Sequence, residues 1–155
     1  MKKDLFIDNN VAKNFTNPMD PEYKELIAWL LKNSGDKSKS AFLVVSNKLL
    51  QEYFSSNRGA NKGTNIAVII NVLTKQGRLV KVTNQEIKSF QQRYFTNKIV
   101  RKLRSNRKDW EHIPVVLLSD RKYALTLDKN FRYDLTEFPG FTVVAASKPG
   151  EIPYM

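Results

Sequence analysis

Four carboxylates stand where divalent-metal chemistry could be done. Asp8 and Asp128 each close a short apolar segment, Leu5-Phe6-Ile7 and Tyr123-Ala124-Leu125-Thr126-Leu127, that reads as a buried strand. Glu52 lies one turn into a helix that follows a third apolar run, Ala41-Phe42-Leu43-Val44-Val45, and Asp109 opens a run leading towards the Asp128 strand. Acids at the carboxyl ends of parallel strands converge on one crevice. Without balancing cations they repel one another there, so the pattern points to a hard divalent ion, Mg²⁺ or Mn²⁺. Such an ion neutralises a phosphodiester and activates a water, which is the chemistry of a metal-dependent phosphodiesterase.

Composition narrows the alternatives. There is no cysteine, which excludes disulfides and thiolate metal sites, and a single histidine excludes a multi-histidine zinc site within one chain. Any metal must be bound by oxygen. The 155 residues fit one domain with a real core, folding alone or as a small oligomer such as a homodimer. Met1-Lys2-Lys3-Asp4 leads directly into the first apolar segment, and no apolar run approaches membrane-spanning length, so a cytoplasmic protein with no membrane partner is expected.

The 26 basic residues against 15 acidic ones give a net charge of +11, which favours a polyanionic partner. The charge is concentrated: Lys98, Arg101, Lys102, Arg104, Arg107 and Lys108 fall within one short segment. Those cations could lie on phosphates while Ile99, Val100 and Leu103 dock the segment to the body. A solvated basic helix face is the plainer reading of the same residues.

The elements that must position these groups alternate. Asp20, Pro21 and Glu22 mark a helix start, followed by Tyr23, Leu26, Ile27, Leu30 and Leu31 at helical spacing. Residues 9–18 read as a loop or short helical turn. After Val45, Ser46 or Asn47 could cap the helix that carries Glu52, with Leu49, Leu50, Tyr53 and Phe54 as its apolar stripe. Residues 57–64 read as a loop, and Thr64 could cap a helix that stops at Gly77. Residues 79–82 are extended, and Thr83 with Glu86 has capping-box spacing. Helix is expected in part of 94–108, and a helical pattern over 109–118 is interrupted by Pro114, which should kink or restart it. Residues 123–127 and 141–145 are the last extended segments. This alternation predicts an α/β fold, a mostly parallel sheet covered on both faces, with its site at the strands' carboxyl ends.

Taken in order, Phe6-Ile7-Asp8-Asn9-Asn10, Val45-Ser46 with Leu49 and Glu52, Asp109 with His112, Ala124-Leu125-Thr126-Leu127-Asp128 with Phe131, and Phe141-Thr142-Val143-Val144 resemble a PIN-domain ribonuclease, such as a VapC-like toxin, across almost the whole chain. The resemblance implies a three-layer α/β/α sandwich and an endonuclease that cuts single-stranded RNA with Mg²⁺ or Mn²⁺. In bacteria it often implies a toxin with a neutralising antitoxin as partner. Carried over by position, Asp8, Glu52, Asp109 and Asp128 would be the metal-binding, catalytic acids, and Thr126 would orient a carboxylate or a water. The chain departs from the family pattern at Pro114, which leaves Glu111 as a substitute for Asp109, and in its heavy basic segment.

Other residues near the crevice admit two readings. His112, one helical turn from Asp109, could be a general base or ligand, or simply structural. Asn10 and Ser46 could bind water or phosphate, or could cap and turn the chain. Tyr94, Phe95 and Trp110 flank the basic segment and could stack on unpaired bases or be buried. Two further functional classes fit the same residues: a non-catalytic module that binds RNA or a protein partner, and a structure-specific DNA nuclease.

Overall fold

In the computed structural model, residues 1–16, 18–57 and 63–155 are described. Five strands form one sheet: β1 (Lys3–Ile7), β2 (Ala41–Val45), β3 (Leu79–Lys81), β4 (Tyr123–Leu125) and β5 (Val144–Ala146). Their order is β3-β2-β1-β4-β5, and every pairing is parallel. The central strands are continuous apolar runs because both of their faces are covered; all five residues of β2 are buried.

The helices are α1 (Asn9–Ala12), α2 (Pro21–Leu31), α3 (Asn47–Ser56), α4 (Ile66–Lys75), α5 (Asn84–Tyr94), α6 (Asn97–Lys102), α7 (His112–Leu117) and α8 (Lys129–Thr136). Helices α1 to α4 pack against one another, and α5, α7 and α8 form a second group. With the sheet between them this is the expected three-layer α/β/α sandwich. No helix among the described residues is long and apolar enough to cross a membrane.

Strand succession places the site. The chain moves outward from β1 to β2 to β3, then returns to the other side of β1 for β4 and β5. The order therefore reverses between β1 and β4, and the crevice beyond their carboxyl ends is where such sheets bind ligands. Ile7 is paired with Leu125 there, and the Asp8 N–H extends the ladder by one rung to the Leu125 carbonyl at 2.8 Å.

Local chemistry sets the helix starts. Asp20 caps α2 by accepting from the Glu22 N–H, with Pro21 in the first turn, and Thr83 and Glu86 form a complete capping box on α5. Several boundaries differ from the sequence reading. The cap of α4 is Asn65, whose side chain accepts from the Ala67 N–H, whereas Thr64 reaches back towards the Thr16 carbonyl. Pro114 neither kinks nor restarts α7, because it is the third residue of the helix, where an N–H would have no intrahelical partner. The fourth strand ends at Leu125, and the fifth spans Val144–Ala146 instead of 141–145. Asn9–Ala12 is helical, followed by a 3₁₀ turn at Lys13–Phe15. Most of the loop expected over 57–64 lies outside the described residues.

One buried cation was not anticipated. Arg78, 1% exposed, donates to the Leu30 carbonyl at the end of α2, to the Ala41 carbonyl at the start of β2 and to Gln76 Oε1. It thereby satisfies a carbonyl at a helix terminus and ties α2 to the sheet, far from the crevice.

Candidate active site

The centre of the crevice is a short network joining the ends of β1 and β4. Asp8 occupies the N-cap position of α1, yet its side chain makes no capping bond there, and only its carbonyl accepts from the Val11 and Ala12 N–H groups. The carboxylate is left for other partners. Its Oδ2 accepts from the Thr126 hydroxyl at 2.6 Å and from Asn10 Nδ2 at 3.3 Å. Thr126 is fully buried, and its oxygen also accepts the Asp128 N–H at 3.1 Å, which commits the hydroxyl proton to Asp8. Asn10 Oδ1 accepts the Leu127 N–H, so this side chain braces the two strand ends from both of its polar atoms.

Glu52 approaches from α3. Ser46, buried, caps this helix by accepting from the Leu49 N–H, which fixes its start at the end of β2. Tyr53, the next residue, is fully buried and donates its hydroxyl to the Ile7 carbonyl, locking α3 onto the end of β1. Leu49 and Tyr53 form the inward stripe; Phe54, expected to join them, is 46% exposed. Glu52 is thus turned to the crevice edge, where both carboxylate oxygens meet His112 Nε2, at 2.9 and 3.1 Å.

His112 is 2% exposed and opens α7 with its ring against Phe6 and Phe131. Its Nδ1 is buried without a hydrogen-bond partner among the described residues. The bond to Glu52 assigns the proton to Nε2. Sequence spacing had set His112 beside Asp109; the fold sets it on Glu52, sixty residues away in the chain.

The electrostatics of the two acids differ. Burial pushes the Asp8 carboxyl above its ordinary range and the charge of Glu52 adds to the effect, against the Thr126 hydrogen bond, the His112 charge and the Asn9 backbone N–H. Burial acts the same way on Glu52 but is outweighed by the His112 hydrogen bond and the charges of His112, Lys48 and Lys108, which hold its carboxyl below the usual value. Burial, with the charges of Asp8 and Glu52, also drives the Tyr53 phenol well up, so that it stays a neutral donor.

The remaining acids are placed differently. Asp128 caps α8, its Oδ1 accepting the Asn130 and Phe131 N–H groups, and it touches the network through its own N–H. Asp109 is half-buried at the end of a 3₁₀ turn (Arg107–Asp109), and Glu111 is exposed. Neither is among the charges that shift Asp8 or Glu52, and it is Lys108, just before Asp109, that bears on Glu52. Among the described residues no three His, Cys, Asp or Glu side chains stand close enough to hold a metal ion together. The structure thus brings Asp8, Asn10, Glu52, His112 and Thr126 together, with Asp128 at the rim. Asp109 and Glu111 stand outside that set.

The Asp8 and Glu52 pair nevertheless fits a hard cation. Asp8 is a desolvated carboxylate whose charged form is opposed by burial and by a second acid, and it is bonded by a hydroxyl and an amide instead of a cationic side chain. A divalent ion would relieve that imbalance with ligands of the kind it prefers.

All six cations of the basic segment, Lys98, Arg101, Lys102, Arg104, Arg107 and Lys108, are exposed along α6 and the turn after it. Tyr94, Phe95 and Trp110 are half-buried and pack into an aromatic cluster with Phe90, Phe138 and Phe141. They anchor the segment to the body of the fold. Tyr53 was missed as a site residue because its spacing marks it as core, which it also is.

The sequence matches no protein-family model, and no curated protein matches it.

Proposed function

We propose that this protein is a Mg²⁺- or Mn²⁺-dependent endoribonuclease of the PIN-domain type, cutting single-stranded RNA at the crevice between β1 and β4. The observation that carries the proposal is Asp8: a partly buried carboxylate at the topological switch point, excused from capping, oriented by Thr126 and Asn10, and hydrogen-bonded to no cationic side chain.

Asp8 and Glu52 would hold the ion, with Asp128 positioned by the same network at its edge. The bound ion would neutralise a phosphate oxygen and activate a water. The protein's part is orientation. Thr126 and Asn10 hold Asp8 in one rotamer, His112 holds Glu52 at the crevice edge, and Tyr53 fixes the height of α3 above the sheet. Lys108 and Lys48 beside Glu52 begin a positive path that continues along Arg107, Arg104 and Lys102, able to guide a phosphate backbone to the acids.

Purified protein incubated with single-stranded RNA should cleave it with Mn²⁺ and not in excess EDTA, and Asp8→Asn should be inactive while melting as the wild type does. Full activity of Asp8→Asn, or cleavage undiminished by EDTA, overturns the proposal.

The spread of the acids favours a second reading, a fold of this type that binds RNA without cutting it. In that case Mn²⁺ would leave the melting temperature unchanged, since only a formed site couples ion binding to stability.

A further inference from the structure

We infer that a cleft between α6 and the end of α8 binds one unpaired pyrimidine base of the RNA, outside the crevice. The inference rests on the proposed RNA-cutting function and adds to it a base preference.

Ile99 and Leu103 from the α6 side face Tyr133, Phe138 and Pro139 from the α8 side, around a cavity of about 150 Å³. A space of about that size with aliphatic and aromatic walls accommodates a benzene-sized ring. A pyrimidine has that footprint, whereas a purine's fused rings need more.

The walls are held in place. Asp134, 3% exposed, accepts the Arg104 and Ser105 N–H groups and the Ser105 hydroxyl, pinning the chain after α6 to α8. Its oxygens are thereby taken. The Arg104 guanidinium lies 3.6 Å from the centre of the Tyr133 ring, which fixes that ring as one wall.

Charge around the cleft selects a nucleic acid over a neutral aromatic ligand. Lys102 lines it, and Lys98, Arg101 and Arg104 are exposed on the same short segment, so phosphates on either side of an inserted base would meet cations. Glu137 lines the cleft and is exposed. It can accept from the N3–H of uracil or the N4 amino group of cytosine, while Lys102 can donate to the O2 carbonyl that both carry. Tyr133 and Glu137 lie roughly 8 and 14 Å along the α8 axis from its cap Asp128. A strand with one base in the cleft can therefore reach the crevice.

The test is fluorescence anisotropy in EDTA with 12-mer oligouridylate and oligoadenylate, on the wild type, Ile99→Trp, which fills the cleft, and Tyr133→Leu, which removes an aromatic wall. Lys108→Ala is the electrostatic control. The wild type should prefer oligouridylate about tenfold, within the range for stacking one base. Both cleft variants, with wild-type melting temperatures and an unchanged response of melting to Mn²⁺, should lose that preference, and Lys108→Ala should weaken both oligomers alike. Equal affinity for the two oligomers in the wild type, or a preference that survives in both folded cleft variants, overturns the inference. The two proposals fail separately: cleavage without base preference removes the cleft and leaves the nuclease, and pyrimidine preference without metal-dependent cleavage removes the nuclease and leaves the cleft.

Discussion

Asp4 and Asp8 lie four residues apart at the two ends of the same strand, and alternation along β1 puts both on the face that carries Phe6. At the amino end, Asp4 is 1% exposed and answered on every side. Its two oxygens accept the Asp120 and Arg121 N–H groups at 2.8 and 3.0 Å, and the Arg121 guanidinium lies beside it, donating to the Asp4 carbonyl. At the carboxyl end, Asp8 is bonded by a hydroxyl and an amide, with the charges of His112 and of a second acid, Glu52, acting on it in opposite senses. The first arrangement is what a buried charge needs to be structural; the second pairs the charge with no guanidinium, which is what the proposed ion would supply. The same residue type on one strand thus separates into a clamp and, on the proposed reading, a site.

The largest effect that would break this contrast is on cleavage. Asp8→Asn should lower the rate by about three orders of magnitude, as expected when a ligand of a catalytic ion is lost, with melting unchanged within a few degrees. Asp4→Ala should do the reverse. It leaves two part-buried N–H groups without their acceptor and removes the carboxylate beside the Arg121 guanidinium, costing about 2–4 kcal/mol in urea unfolding, while cleavage per folded molecule stays at the wild-type level. If Asp4→Ala is inactive though folded, or Asp8→Asn loses several kcal/mol, the two ends are not distinct in kind.

A smaller effect separates the two acids of the crevice. Glu52 is held at the edge by His112, whereas Asp8 is fixed by its own strand end. His112→Gln frees Glu52, so cleavage should fall about tenfold and the apparent Mn²⁺ affinity with it, the range seen when a partner of a metal ligand is removed. Glu52→Gln should fall further. A His112→Gln variant with wild-type Mn²⁺ dependence would make the histidine a packing residue between Phe6 and Phe131 and nothing more.

What could be read from sequence follows the same division. Asp8 and Thr126 were legible because apolar runs mark strand ends, and a strand end fixes the direction of the next side chain. The helix starts at Asp20 and Thr83 were legible because capping is local chemistry. The bond between Glu52 and His112 was not, since it joins residues from two different layers of the fold, and no short-range pattern encodes it. Pro114 misled because the helix begins at His112, three residues later than the apolar pattern suggests. That start makes Pro114 harmless and leaves Asp109 in the preceding turn. Nothing local in the sequence marks Arg78 and Asp4 for burial, because it depends on carbonyls and amides brought from elsewhere.

The smallest effect is on stability as pH changes, and its sign distinguishes the two crevice acids. Burial raises the Asp8 carboxyl, so the folded protein holds that proton more tightly than the unfolded chain. The resulting stability is fully present below the ordinary aspartate value of about 3.9 and is lost as pH rises through the raised value. Glu52 is lowered despite its burial, by the His112 hydrogen bond and nearby charge. Its contribution is present above the ordinary glutamate value of about 4.3 and is lost as pH falls through the lowered one. In metal-free protein the difference in unfolding free energy between wild type and Asp8→Asn should therefore drift against the wild type as pH rises from about 4, with a slope below about 1.4 kcal/mol per unit. The difference for Glu52→Gln should change only on the acid side of about 4.3. Saturating Mn²⁺ should reverse the Asp8 drift, since an ion binds the carboxylate and not the acid. A drift that keeps its sign in Mn²⁺ would mean that Asp8 meets no cation, and would leave it a second Asp4 without the clamp.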